Sequence, residues 1–293
     1  MPQLKLPIDP SDVLGAVKAG ADLAAMPAEL LILADPEVAD SVRQMLVGGE
    51  SLEGASEHAV ASVATSVTLP PATSPETVVL VVIPAEGEAQ LREGLRRASW
   101  PGGGVVAVLG DKRDSPAVTW YSDRVARVGV ATAASWDRVW EALVWAAGLR
   151  AIPLARAYPT LRRAAARRLI ANASLQNAAV GAVLFVPGTD LAVMTMNQMR
   201  LLLNLAGLFG YEVSVDRLLE LASVLGAGLG FRAVARQLMG LVPGVGWAVK
   251  GSVGYAGTKA LGEAAFRYFE SGAALSVHTL RERATALVQR FRR

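Results

Sequence analysis

The run Thr77-Val78-Val79-Leu80-Val81-Val82-Ile83 constrains this chain more than any other stretch. All but Leu80 are β-branched, and no polar residue alternates with the apolar ones. A strand with one wet face shows a two-residue alternation; a strand without it is covered on both faces, as in a parallel sheet flanked by helices. Gly104-Val105-Val106-Ala107-Val108-Leu109 repeats the pattern, and Glu29-Leu30-Leu31-Ile32-Leu33-Ala34 and Arg127-Val128-Gly129-Val130-Ala131 are shorter versions. Helical spacing follows at 38–47, stopped by Gly48-Gly49, and again at 88–98. A third helix spans 136–148, with Ser135 as its cap and Trp136, Trp140 and Leu143 on one face. The alternation predicts an α/β domain with a mainly parallel sheet.

The charge balance divides the chain. Residues 1–150 hold 12 Lys/Arg against 19 Asp/Glu, and residues 151–293 hold 17 against 7, so a net +3 joins a −7 to a +10. Such a change of sign marks two units with different surroundings. The expected layout is an extension at 1–24, an α/β domain at 25–150, a helical domain at 151–275 and a basic amphipathic helix at 276–293. The absence of cysteine excludes disulfide frameworks, thiol catalysis and Cys-bound metals. The two histidines, His58 in a polar loop and His278 on an amphipathic helix, leave little for metal binding or acid–base chemistry. No G-x-S-x-G or H-E-x-x-H occurs. No metal, cofactor or catalytic residue is therefore expected. The opening Met1-Pro2-Gln3-Leu4-Lys5 lacks the pattern of a secretory signal, which points to the cytoplasm.

The loops after the strands carry the informative residues. A phosphate-binding P-loop has the form G-x-x-x-x-G-K-[ST]: glycines let backbone N–H groups wrap a phosphate, Lys neutralises it and the hydroxyl holds Mg²⁺. In that place stand Ala34-Asp35-Pro36-Glu37-Val38-Ala39-Asp40-Ser41, with Ala34 and Ala39 for the glycines, Asp40 for the lysine and Ser41 retained. Asp111-Lys112-Arg113-Asp114 is one residue from the guanine-reading N-K-x-D, and Ala131-Thr132-Ala133-Ala134 stands where S-A-K is expected. Thr68-Leu69-Pro70-Pro71 is a weak counterpart of D-x-P-G.

In their order, these places resemble an Era-like GTPase domain over about 25–149, and the resemblance implies a P-loop-type fold. The same residues argue against its activity. At about 4 Å and an effective dielectric of about 20, like charges cost about 4 kcal/mol, so Asp35, Glu37 and Asp40 oppose a phosphate. In the base-reading set, Asp114 retains an acceptor for a guanine edge and Lys112 a cover for it, whereas Asp111 lacks the amide donor of Asn. A pseudo-GTPase is the reading these residues support.

The second half reads as helices at about 160–185, 190–209, 214–241, 245–269 and 276–293, the second closed by Gly210 and the last with Val277, Leu280, Ala284, Leu287 and Phe291 on one face. Val186-Pro187-Gly188 and Val242-Pro243-Gly244 begin a shared V-P-G-x-x-x-A-V echo, which suggests two helical hairpins with tips at one end of a bundle. Phe185, Leu241 and Trp247 make those tips apolar. The uncharged run 169–189 is long enough to span a membrane, yet Asn172, Ser174, Gln176 and Asn177 interrupt it and Asp190 and Arg200 follow, so spanning is not expected. Peripheral contact of the tips with the cytoplasmic membrane face is compatible with these residues. Gly251, Gly254, Thr258 and Gly262 form a small-residue stripe that invites another helix to approach closely. Arg162, Arg163, Arg167 and Arg168 make a basic patch, but no interleaved aromatic accompanies it, so nucleic acid is not an expected partner.

Pro187-Gly188-Thr189-Asp190-Leu191, Asn197-Gln198-Met199-Arg200, Val242-Pro243-Gly244-Val245-Gly246 and Gly257-Thr258-Lys259-Ala260-Leu261-Gly262-Glu263 resemble the YcjF-like, GTPase-associated helical domain of unknown function, over about 156–272. The resemblance implies no catalytic residues. The expectation is a non-enzymatic adaptor or scaffold whose helical domain serves self-association, docking of a protein partner or peripheral membrane contact, with no small-molecule substrate. The rival is an atypical guanine-nucleotide-binding switch.

Overall fold

Val78–Ile83 became the middle of a sheet covered on both faces. The computed structural model describes residues 9–48, 59–64, 75–89, 91, 93, 103–110, 119–122, 125–183, 189–215 and 246–272; residues 10, 59–64, 119–122, 183, 189–191 and 246–250 are described by their backbone. The strands are β1 (Ala28–Leu33), β2 (Ala59–Ala64), β3 (Thr77–Pro84), β4 (Gly104–Leu109), β5 (Thr119–Ser122) and β6 (Val125–Val130). Their order is β2-β1-β3-β4-β6-β5; all neighbours are parallel except β5, which pairs antiparallel with β6 at the edge. On β3, Val79, Val81 and Ile83 join one core cluster with Leu33, Val106 and Val108, while Val78, Leu80 and Val82 are also buried. Both faces are thus apolar, which is why no alternation appears in the sequence.

The helices of this part are α2 (Pro36–Val47), α3 (Trp136–Ala147) and the short α4 (Ala151–Ala157), with α1 (Pro10–Ala24) preceding the sheet. α3 packs on β3, β4 and β6, and α4 on β1 and β2. Trp136 and Trp140 stack at 5.2 Å between ring centroids, so this pair serves packing. Strand β2 and helix α1 have no counterpart in the sequence reading. Ala-Val-Ala-Ser-Val-Ala is too small and mixed to signal a strand, and α1 carries Gly15 and Gly20 within its span. Ser135 stands before α3 but makes no side-chain cap bond to it. Its hydroxyl instead accepts from Thr132 N at 3.3 Å and Arg138 Nη2 at 3.2 Å.

The remaining helices are α5 (Pro159–Val183), α6 (Thr189–Leu208) and α7 (Gly246–Glu270). The chain divides into two units: Leu23–Ala165 holds the sheet, and Met1–Asp22 with Ala166–Arg293 holds the helices. The change of charge at 150 precedes α4, and the division between units falls inside α5.

In the helical unit α6 is the centre. Its Leu201, Leu203 and Leu205 join Ala16 of α1, Ile170 of α5 and Phe269 of α7 in one core cluster. α6 ends as the sequence suggested: Gly210 takes φ +78°, a left-handed conformation that costs glycine nothing, while Tyr211 N donates to Ala206 O and Gly210 N to Gly207 O. The small-residue stripe of α7 faces α5. A Cβ on Gly254 would come within 2.6 Å of Asn177 O, so only glycine permits this approach. Among the described residues, no helix is long and apolar enough to cross a membrane.

Candidate functional site

In a parallel sheet all strands deliver their following loops to one edge, and ligands of doubly wound sheets sit there, where successive connections diverge. Here β1 leads to β2 on one side and β3 leads to β4 on the other, so the crevice lies between the carboxyl ends of β1 and β3. The residues leaving them are Ala34-Asp35 and Ala85-Glu86. The P-loop-like segment therefore stands where a phosphate site would be built.

Its local structure differs from a cradle. Only Ala34 and Asp35 separate β1 from α2, whose first residue is Pro36. Pro is at home in a first turn because the missing N–H has no partner there anyway. By Ala39 the helix is closed, with Ala39 N bonded to Asp35 O at 2.8 Å. Ala39, Asp40 and Ser41 thus lie inside a helix, not in a loop that wraps an anion. Ala34 and Ala39 are fully buried, Asp40 is exposed with Arg43 3.9 Å away, and Ser41 Oγ donates to Glu37 O at 2.9 Å. Asp35 is exposed in an extended conformation, φ −61° and ψ 150°. Asp35 and Glu37 bring two carboxylates beside the N–H groups at this helix start.

Asp111, Lys112 and Asp114 lie outside the described residues, as do Thr68-Leu69-Pro70-Pro71. The strand before the latter is β2, so each of the four motif places follows a parallel strand. Gly110 N donates to Val130 O at 2.9 Å, extending the β4–β6 ladder by one bond. After β6, Ala133–Ser135 forms a 3₁₀ turn tied back to Thr132 and to Arg138. The hydroxyls at this place are engaged in the turn itself.

A buried ion pair spans the sheet behind this edge. Arg127 Nε and Nη2, from β6, donate to Glu88 Oε1 and Oε2 at 2.8 and 2.9 Å, with Glu88 just after the 3₁₀ turn that follows β3. Both side chains are almost entirely removed from water. A two-pronged pair of this kind holds its partners in one geometry. The sequence reading missed it, because 39 residues separate two unremarkable charges.

In the helical unit, Phe185, Val186, Pro187, Gly188, Leu241, Val242, Pro243 and Gly244 lie outside the described residues, and Trp247 is described only as part of α7. The basic patch is distributed along α5. Arg162 donates to Ala155 O at 3.3 Å and to Arg156 O at 3.4 Å, serving the carbonyls that end α4. Arg163 and Arg167 are exposed, and burial lowers the pKa of Arg168 from the usual arginine value.

A polar cluster joins three helices. The Asn177 amide donates to Thr258 Oγ1 at 2.8 Å and to Met194 O at 3.1 Å, and its oxygen accepts from Asn197 at 2.9 Å; Gln198 donates to Thr258 Oγ1 at 3.0 Å. Asn177 and Thr258 are fully buried. Their only signal in the sequence is amides and a hydroxyl in otherwise apolar helices. Ser174 Oγ, one turn away, is buried with no hydrogen-bond partner among the described residues. Beside Asn197, a cleft of about 450 Å³ runs between α1 (Asp12, Gly15) and α6 (Val193, Met196, Arg200). Among the described residues no cluster of three or more His, Cys, Asp or Glu is placed to hold a metal.

No family model, curated protein or solved structure matches the chain.

Proposed function

We propose that this protein is a non-enzymatic adaptor or scaffold, built on a degenerate GTPase-like domain and a YcjF-like helical domain. The observation that carries this reading is the start of α2 at Pro36. A segment that enters a helix after only two residues leaves no loop to enclose a phosphate, Asp40 stands where the cation is needed, and Asp35 and Glu37 add negative charge beside the helix start. The hydroxyl expected to hold Mg²⁺ is committed to its own helix. That each of the four motif places follows a parallel strand supports descent from a nucleotide-binding fold, and their residues support loss of the chemistry. The helical unit is the part that docks a protein partner, a second copy or the cytoplasmic face of the membrane.

Titration with labelled GTP, GDP and ATP, with and without Mg²⁺, tests the first half of this reading. The expected result is no saturation at micromolar nucleotide, the range of an ordinary specific site at about −8 kcal/mol. Micromolar guanine-nucleotide binding that is lost on Asp114→Ala would overturn the adaptor in favour of a nucleotide switch. Flotation with anionic liposomes at low salt tests the membrane arm, which absence of binding would remove.

A further inference from the structure

We infer that the cleft between α1 and α6 binds a small zwitterion, a molecule that carries an ammonium and a carboxylate or phosphate a few bonds apart on an apolar body. The inference stands on the helical unit alone and does not depend on whether the α/β unit binds nucleotide.

Glycine opens the cleft. On α1, a Cβ at Gly20 would lie 3.2 Å from Val213 Cγ1 and 3.5 Å from Leu203 Cβ, so α1 is closely packed there. A Cβ at Gly15 would meet nothing within 4 Å. Glycine is costly inside a helix, and close packing accounts for it at position 20 but not at position 15. What the missing side chain at Gly15 leaves is part of an open volume of about 450 Å³, within the range of small-ligand sites. Ala16 of α1 and Val193 and Met196 of α6 give that volume an apolar lining.

The polar residues of the lining select the ligand. On the α1 wall stand Ser11 and Asp12. Ser11 Oγ donates to Asp9 Oδ1 at 2.7 Å, and the N–H groups of Ser11, Asp12 and Val13 are likewise bonded to Asp9. Their donors are thus spent, and this wall offers acceptors, the Asp12 carboxylate and the Ser11 oxygen. On the α6 wall stand Asn197 and Arg200. Asn197 Nδ2 is committed to the fully buried Asn177, at 2.9 Å from its Oδ1, which leaves the Asn197 oxygen as a further acceptor. Arg200 supplies the positive charge. Among the described residues, the side chains of Asp12 and Arg200 form no ion pair or hydrogen bond, with each other or with any other group, although both line one cleft. Asn197 and Arg200 are three residues apart on α6, about 4.5 Å along its axis, so one small molecule can reach both. An ammonium suits the acceptors, and a carboxylate or phosphate suits the guanidinium. A ligand of one sign alone would satisfy one of these charges and face the other unpaired.

The test uses the full-length protein, titrated by NMR with the dipeptide leucyl-leucine and with dihexanoyl-phosphatidylethanolamine, which presents the same pair of charges as a lipid headgroup. Saturable binding of either in the millimolar range or tighter is expected, and the tighter of the two assigns the source. Acetylating the amine of the dipeptide, or amidating its carboxylate, is expected to weaken binding about five-fold or more, since each removes a hydrogen-bonded charge. The variants then locate the charges. Asp12→Asn should bind the dipeptide and its N-acetyl form alike, and Arg200→Gln should bind the dipeptide and its amide alike. Gly15→Leu fills the open volume with a better helix former, so saturation should be lost while the thermal melt is no lower than that of the unaltered protein. No saturation with either ligand, equal binding of the zwitterion and its blocked forms, or binding undisturbed by Gly15→Leu would each overturn the inference.

Discussion

The α/β unit and the helical unit solve the problem of register by different means. In the sheet, parallel backbone ladders set which residue stands beside which, from Glu29 against Thr77 to Leu109 against Val130. Among the described residues its interior is almost wholly apolar, and the buried charges there, Glu88 and Arg127, answer each other. Helices have no such ladder between them, because their backbone bonds are spent internally. In the helical unit, side chains must supply the alignment. Gly254 brings α7 against the backbone of α5, and Asn177, Asn197, Gln198 and Thr258 form hydrogen bonds that a slipped register would leave unmade. Polar groups in a helical core cost desolvation and return specificity of packing.

The largest effect expected belongs to the sheet. Glu88→Ala removes the two-pronged carboxylate from a buried guanidinium and should cost about 3–5 kcal/mol in chemical denaturation. Replacing both partners, Glu88→Leu with Arg127→Met, should recover most of that loss. If the double variant is as unstable as the single, the pair does more than satisfy itself.

Tyr158, between α4 and α5, is the next test. Burial pushes its phenol up to about 12, opposed by the Arg43 guanidinium, against an ordinary value of 10.0. Between those values the unfolded chain releases its proton while the folded one holds it, so stability falls as pH rises through this window. The loss should reach about 2–3 kcal/mol by pH 12, and Tyr158→Phe should remove that component of the decline in melts from pH 9 upward.

In the helical unit, Gly254→Ala should destabilise by about 1–3 kcal/mol, because the added Cβ meets backbone rather than a movable side-chain tip. Gly15→Ala, in open space on α1, should stabilise by about 0.5–1 kcal/mol. Equal effects at the two sites would break the contrast between a spacer glycine and an idle one. The smallest effect concerns the start of α1. The Asp9 carboxylate accepts from Ser11 Oγ and Ser11 N at 2.7 and 2.8 Å, and these bonds lower its pKa from the ordinary 3.8. That contribution is complete above the ordinary value and is lost as pH falls through the lowered one. Amide exchange in the first turn of α1 should therefore rise in acid, and Asp9→Ala should remove the dependence.

Much of the sheet was legible because a doubly covered strand writes its environment into consecutive residues, as Val78–Ile83 and Val105–Leu109 do. The ends of α2 and α6 were legible at Gly48 and Gly210, since helix termination is a local event. Strand β2 was not, because alanine and serine between valines satisfy several environments equally. Of the candidate site, the order of the loops could be read from spacing. That α2 already begins at Pro36, so that Ala39, Asp40 and Ser41 are helical, emerged only with the strand-to-helix geometry.

The sequence by itself determined the kinds of element, the change from buried strands to long helices, the stripe of small residues on α7 and the acidic content of the P-loop-like segment. Each of these is a local property, carried by side-chain period or by the charge of near neighbours. The tertiary structure alone decided the strand order, the placement of α1 with the later helices, and the bonds joining Glu88 to Arg127 and Asn177 to Thr258. Those pairings bridge 39 and 81 residues, and no periodicity reports them, because they follow from how whole elements bury their faces together.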